Sequence, residues 1–227
     1  MLKPKLCAVL TNTDRKSVKV VNKADLIEVR IDIIGSSWSE LPKGLKRPWI
    51  ACNRLRSEGG FWSGNEKDRI KELLRAASLG APFIDIELNS PNIHKVVELV
   101  KGKDSKVLIS FHDFKGTPRI EKLREIVRKQ IGLDADLCKV VMMAEKFEDN
   151  LTALKLLQEF ANRTRLISFC MGEKGSISRL LSPLFGSDFA YVSAGAGLES
   201  AGGQIELNSF REVYEMLGSE LSSCDNL

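Results

Sequence analysis

Lys139 interrupts the run DLCKVVMMA (Asp136–Ala144), which otherwise reads as a buried β-strand. A lysine in such a place needs a carboxylate or an anion beside it, and desolvation favours the free amine, a nucleophile toward carbonyl carbon. His112, in SFHDF, is the histidine placed to move a proton; the only other, His94, falls on an amphipathic helical pattern and reads as a surface or boundary residue. Strand alternation puts Glu28, Arg30 and Asp32 of ADLIEVRID on one face, pairs Asp85 with Glu87 in FIDIEL, and sets Ser110 beside His112. An amine, an imidazole and several arginines suit a carbonyl compound that bears a carboxylate or phosphate, activated as an imine that serves as electron sink. Each charge also has a plainer reading, as an ion pair stitching the core. That is the leading reading for Asp32, Asp85 and Glu87, and it is weaker for Lys139.

These residues must be positioned by a regular scaffold. Eight short apolar runs recur at even intervals: KLCAVL, ADLIEVRID, RPWIACN, FIDIEL, KVLISFHDF, LCKVVMMA, RLISFCMG and FAYVSAG. Segments such as EKDRIKELLRAASLG, NIHKVVELVKG, RIEKLREIVRKQIG and DNLTALKLLQEFANRT lie between them, with apolar residues every three or four positions. Gly80, Gly102 and Gly132 stand where helix C-caps belong. Alternating strands and helices with Val, Ile and Leu on the strands predict a buried parallel sheet. Eight units close most naturally into an α/β, single (β/α)8 TIM barrel over residues 1–227, with a doubly wound open sheet as the alternative. Polar residues of one parity near the strand C-terminal ends then converge on one pocket. The loop SAGAGLESAGGQ (Ser193–Gln204), rich in small residues, reads as a lid. In the following helix, Phe210, Val213, Tyr214 and Leu217 recur at helical spacing, and core packing is their expected use.

Composition narrows the class. The 227 residues are 43% hydrophobic and 28% charged, an ordinary globular balance. No apolar run approaches the length needed to cross a bilayer, and the start lacks a secretory signal, so a cytoplasmic location is expected. Five scattered cysteines, four of them in apolar runs, fit reduced core thiols. A net charge of +4 without a basic block argues for neither nucleic acid nor membrane as a partner. Neither G-x-G-x-x-G nor G-K-[ST] is found, and no metal-ligand cluster is visible in the sequence.

Several motifs taken in order resemble the type I 3-dehydroquinate dehydratases of the shikimate pathway. They are E-V-R-I-D from Glu28, R-L-R-S-E-G-G from Arg54, S-F-H-D-F from Ser110 with Thr117-Pro118, K-V-V-M from Lys139, M-G-E-K-G-S-I-S-R ending at Arg179, F-G-S from Phe185, and S-A-G-G-Q from Ser200 to Gln204. The resemblance implies a cofactor-free and metal-free barrel enzyme that eliminates water syn from 3-dehydroquinate through a lysine imine. It assigns the imine to Lys139, general acid and base work to His112, and orientation of that histidine to Glu58, which is expected to raise its basicity. Arg179 is implied to bind the substrate carboxylate, Ser200 and Gln204 to close over it, and Glu28, Arg30 and Arg54 to hold or brace the ring hydroxyls. It also implies a homodimer. Gly202 stands where the family lid usually has proline, so a less stiff lid is expected, with residues 196 to 203 mobile without ligand. Because the chain starts almost at the first strand, the N-terminal hairpin of some members is expected to be missing, and nothing is expected to be fused to the barrel.

Two rivals share the scaffold. An imine-forming aldolase or transaldolase would need a phosphate site near strands seven and eight, which MGEKGS supplies only in part, and would leave E-G-G and S-F-H-D-F unexplained. A non-catalytic barrel binding an acidic metabolite would use the arginines but has no need for the lysine and histidine.

Overall fold

The computed structural model describes residues 3–195 and 197–224. Eight predicted strands form: β1 (Leu6–Leu10), β2 (Leu26–Arg30), β3 (Trp49–Cys52), β4 (Phe83–Glu87), β5 (Lys106–Asp113), β6 (Leu137–Met143), β7 (Leu166–Met171) and β8 (Ala190–Ser193). A two-residue β9 (Ile205–Glu206), not legible in the sequence, adds to β8. Neighbours run in the order β7-β6-β5-β4-β3-β2-β1-β8-β9, with every pairing parallel. The β1–β8 pairing curls the sheet into the barrel. Among the described residues no ladder joins β7 to β8; the seam is held by the Asp188 N–H donating to the Leu166 carbonyl (3.0 Å), by an Arg165–Asp188 ion pair (2.7 Å), and by the rings of Phe169, Phe189 and Tyr191.

Helices cover the outside. The amphipathic segments become α3 (Glu66–Ser78), α4 (Ile93–Lys101), α5 (Ile120–Gly132), α6 (Asp149–Phe160) and α8 (Leu207–Cys224). Three short helices, α1 (Arg15–Val21), α2 (Ile31–Ile34) and α7 (Ser176–Leu181), span too few turns to show a period. Local chemistry still fixes α1, because the Asp14 side chain accepts from the Lys16 and Ser17 N–H groups and caps it. Of the three glycines expected at C-caps only Gly80 has positive φ (85°); after α4 and α5 the left-handed residues are Asp104 and Asp134. Phe210 and Tyr214 of α8 are buried and stacked (5.1 Å), as core packing requires, while Val213 and Leu217 are half-buried.

Strand parity separates two environments. Ile27, Val29, Ile84, Ile86, Ile109 and Val140 point outward into the helix layer. Each such side chain contributes on the order of 2 kcal/mol by leaving water. The opposite parity fills the lumen, with an apolar floor that includes Ile50, Phe83, Leu108, Leu137, Ile167 and Phe189. Two residues further along the strands the same parity brings Asp85, Ser110, Lys139 and Tyr191 inward, so the charged groups sit on that floor. Behind Lys139, the buried Gln130 of α5 donates to the carbonyls of Ile109 (3.1 Å) and Lys139 (3.0 Å), locking the helix to β5 and β6. Among the described residues no helix is long and apolar enough to cross a membrane.

Candidate active site

All nine site residues expected from the sequence line one cavity of about 170 Å3 at the C-terminal ends of the strands. Glu28 and Arg30 come from β2, His112 from β5 and Lys139 from β6; Arg54 and Glu58 follow β3, Arg179 lies on α7, and Ser200 and Gln204 precede β9.

Lys139 is 5% exposed, and its Nζ lies 3.4 Å from Glu28 Oε2, 3.4 Å from Asp85 Oδ2 and 3.1 Å from the Tyr191 hydroxyl. The two carboxylates are the partners that a lysine inside a strand requires, and they form buried ion pairs with it. Asp85 is shared: Arg54 donates to it (2.5 Å), as does Ser110 (2.6 Å). Burial by itself would raise the Asp85 carboxyl, but Arg54 and Lys139 outweigh it and hold the carboxyl below its usual range. Glu87 anchors Arg54 from below (3.3 Å) and is bound on its other oxygen by Arg69 of α3 (2.6 Å). The plain ion-pair reading thus describes the contacts of Asp85 and Glu87. It also describes Asp32, with a correction: the strand ends at Arg30, so Asp32 leaves its face and enters α2, where it takes two hydrogen bonds from the Arg30 guanidinium (2.9 and 2.7 Å).

His112 Nδ1 lies 2.9 Å from Glu58 Oε2, which leaves Nε2 without a protein partner among the described residues. The E-G-G motif makes this pair possible. Gly59 has φ 77° at the end of the turn carrying Glu58, and a Cβ there would overlap the Phe114 ring at 2.1 Å. That ring stacks on His112 at 6.4 Å. The expected gain in basicity does not appear. Burial first, then Arg54, Lys139, Arg30 and Arg179, push the imidazole well below its ordinary value, so it rests neutral. Burial pushes the Glu58 carboxyl up to about 7, with Arg54 opposing. A pH profile follows if ionised Glu58 must hold the imidazole: kcat/KM rises through about pH 7, declining below it by about tenfold per pH unit. The neutral His112 adds no limb in that range. In Glu58→Gln the limb disappears; its persistence would assign it to another group.

Arg179 differs from the other pocket arginines. It is 3% exposed, lies over the Phe169 ring (4.4 Å) and donates to the Gly202 carbonyl (3.2 Å), but no carboxylate contacts it among the described residues, and Nε is unpartnered. Burial pulls its guanidinium down to about 10. An unpaired buried cation is a prepared seat for an anion. Arg179→Met is expected to lower kcat/KM for a carboxylate substrate roughly 10- to 150-fold, through loss of a charge-assisted bond, and to abolish thermal stabilisation by product. Unchanged stabilisation would place the carboxylate elsewhere.

The loop above is seated on β7. Gly202 accepts from the Gly172 N–H (3.2 Å), and Gly203 packs so closely that a Cβ would lie 2.4 Å from the Gly172 oxygen. Ser200 N–H donates to Gln204 Oε1 (2.9 Å). Of the expected lid, residue 196 lies outside the described residues. The sequence argument missed Tyr191, although its strand parity marks it as lumenal, and it missed Arg69, whose spacing from Glu66 looks like a solvated helix pair yet which is fully buried. Glu28, Cys52 and Asp85 bring three potential metal ligands within 4.8 Å. The donor set does not fit an ion: burial keeps the Cys52 thiol protonated, and Lys139 already occupies the two carboxylates.

Comparison with known proteins decides the family. The type I 3-dehydroquinase profile matches residues 7–220. The chain belongs to the type I 3-dehydroquinase family. It is 37% identical over 212 residues to a 3-dehydroquinate dehydratase of Dehalococcoides mccartyi, covering 93% of this chain and 95% of that one. It is 35% identical to that of Methanocaldococcus jannaschii, covering 92% and 96%. The crystal structure of the Geobacillus kaustophilus enzyme superposes with TM-score 0.88 at 28% identity over 96% of this chain and 92% of that one. The type I enzyme of Clostridium difficile, solved with covalently modified comenic acid, superposes with TM-score 0.83 at 27% identity, covering 95% and 92%. Membership makes the protein a hydro-lyase on a (β/α)8 barrel, and the aldolase and non-catalytic readings fall with it.

Proposed function

We propose that the barrel, as one catalytic unit over residues 1–227, dehydrates 3-dehydroquinate to 3-dehydroshikimate through an imine on Lys139. The amine attacks the C3 ketone, water leaves, and the resulting iminium withdraws electrons so that the C2 proton becomes removable. His112 Nε2 takes that proton and returns one to the C1 hydroxyl as it departs; one imidazole serves both because the elimination is syn. Glu58 fixes the tautomer. Arg179 holds the carboxylate, Ser200 and Gln204 close over it, and Glu28, Arg30 and Arg54 order the hydroxyl-bearing side of the ring.

The observation that carries this reading is the meeting, in one cavity, of a buried lysine, a carboxylate-held neutral histidine and a buried arginine that no carboxylate contacts among the described residues. By family resemblance the proposal extends to a cytoplasmic homodimer without a cofactor. Purified protein is expected to convert 3-dehydroquinate to the conjugated enone, read by ultraviolet absorbance, at the same rate with and without a strong chelator, because the imine is the electron sink. It should also gain one ligand mass when borohydride is added with product. Turnover without a trapped adduct, or activity lost to chelator and restored by metal, overturns the imine route.

A further inference from the structure

We propose that Tyr191 is a further catalytic residue, its hydroxyl carrying protons between the Lys139 nitrogen and the oxygen of the substrate ketone while the imine forms and is hydrolysed. The inference rests on the imine reading above and adds to it the group that performs those proton transfers.

The requirement comes from atom balance. An ammonium ion and a ketone give an iminium ion and water. Two N–H protons leave nitrogen, both arrive on the ketone oxygen, the C–N bond forms, the C–O bond breaks, and the positive charge stays on nitrogen. No net acid or base is consumed, but two protons must travel from nitrogen to an oxygen attached to the same carbon, and direct transfer passes through a cramped cyclic arrangement. A hydroxyl beside the nitrogen relieves it by accepting the N–H proton on its oxygen while donating its own hydrogen to the substrate oxygen. After each transfer it is again a neutral hydroxyl. The first transfer frees the nitrogen lone pair as the C–N bond forms and gives the N-protonated carbinolamine; the second moves another N–H proton to its hydroxyl, which leaves as water and gives the iminium. Hydrolysis runs the same path backward.

Of the three groups around Nζ only Tyr191 can do this. Its hydroxyl is the nearest, at 3.1 Å against 3.4 Å for each carboxylate oxygen. An ionised carboxylate accepts but has no hydrogen to give, and Asp85 is further committed to Arg54 and Ser110. Burial, reinforced by the charge of Glu28, pushes the phenol well up, so it keeps its hydrogen. The hydroxyl is also held in place: the Tyr191 ring lies against Nζ (4.2 Å from the centroid) and is wedged edge-on by Phe189 (5.3 Å) and tilted against Phe169 (6.1 Å) across the β7–β8 seam. Tyr191 lines the same cavity as the nine residues already placed there.

The plainer role for this side chain is cation–π support of the ammonium ion, which needs the ring and not the hydroxyl. Tyr191→Phe separates the two. Two rates are measured in wild type and variant, after equal thermal stability has been checked: accumulation of the borohydride-trapped adduct in a single turnover with product, and exchange of the product ketone oxygen with isotopically labelled water. Both report imine formation and hydrolysis without the elimination step. We expect both to slow by about a hundredfold, the lower end for a lost proton-transfer group. Wild-type rates in Tyr191→Phe, with slowing only in Tyr191→Leu, assign the ring alone and overturn the proposal. If wild-type protein turns over with neither trapping nor oxygen exchange, the imine reading itself fails and takes this inference with it, an outcome distinct from the previous one.

Discussion

Replacing Lys139 with alanine is expected to remove borohydride-trapped adduct entirely and to lower turnover of 3-dehydroquinate by about four orders of magnitude or more, the scale for loss of a covalent nucleophile. Peptide mapping of wild-type protein should place the single ligand mass on Lys139. Lys139→Arg should fail as completely, since guanidinium keeps the charge but offers no nucleophilic lone pair. The two variants differ in stability. Alanine leaves Glu28 buried without the cation 3.4 Å away, whereas Asp85 keeps Arg54. Removing one partner of a buried pair costs about 3 to 5 kcal/mol, so Lys139→Ala should melt well below wild type and Lys139→Arg less so. Activity is therefore compared at a temperature where both are folded. Label on another lysine, or near-normal turnover in either variant, would reduce Lys139 to a structural cation.

The second large effect is expected at His112. His112→Ala should still accumulate the trapped adduct, because imine formation involves Lys139 and its neighbours, while turnover falls by at least about a hundredfold for want of a group to move the C2 proton. The imidazole rests neutral under burial and four nearby cations, so its Nε2 lone pair is available without prior deprotonation, and ionised Glu58 stabilises the imidazolium once it forms. Glu58→Gln keeps a hydrogen-bonding group beside Nδ1 but not the charge and is expected to fall between wild type and His112→Ala. Near-normal turnover in His112→Ala would return the histidine to a packing role.

The scaffold was legible because its signals are local. Apolar runs of strand length, each with a fixed parity, announce eight buried strands, and parity alone places Glu28, His112 and Lys139 on the lumenal side. The short helices α1, α2 and α7 were not legible, since fewer than two or three turns carry no period, and α2 began inside a predicted strand. Basicity at His112 was misjudged for a related reason. A carboxylate partner can be inferred from a motif, but the surrounding arginines and the depth of burial belong to the closed barrel.

What the sequence by itself determined is the barrel, the ring of polar residues above an apolar floor, and the identity of the lysine, histidine and arginines that meet there. The tertiary structure alone decided which charge neutralises which. Lys139 and Glu28 are 111 residues apart, Arg54 and Asp85 are 31 apart, and Arg69 reaches Glu87 from a helix outside the sheet. Those pairings depend on strand register and on closure through β1 and β8, which no local pattern encodes. Closure also leaves Arg179 buried with no carboxylate against it among the described residues and sets the Tyr191 hydroxyl beside the Lys139 nitrogen. Both follow from which strands become neighbours once the sheet curls, a property of the whole chain.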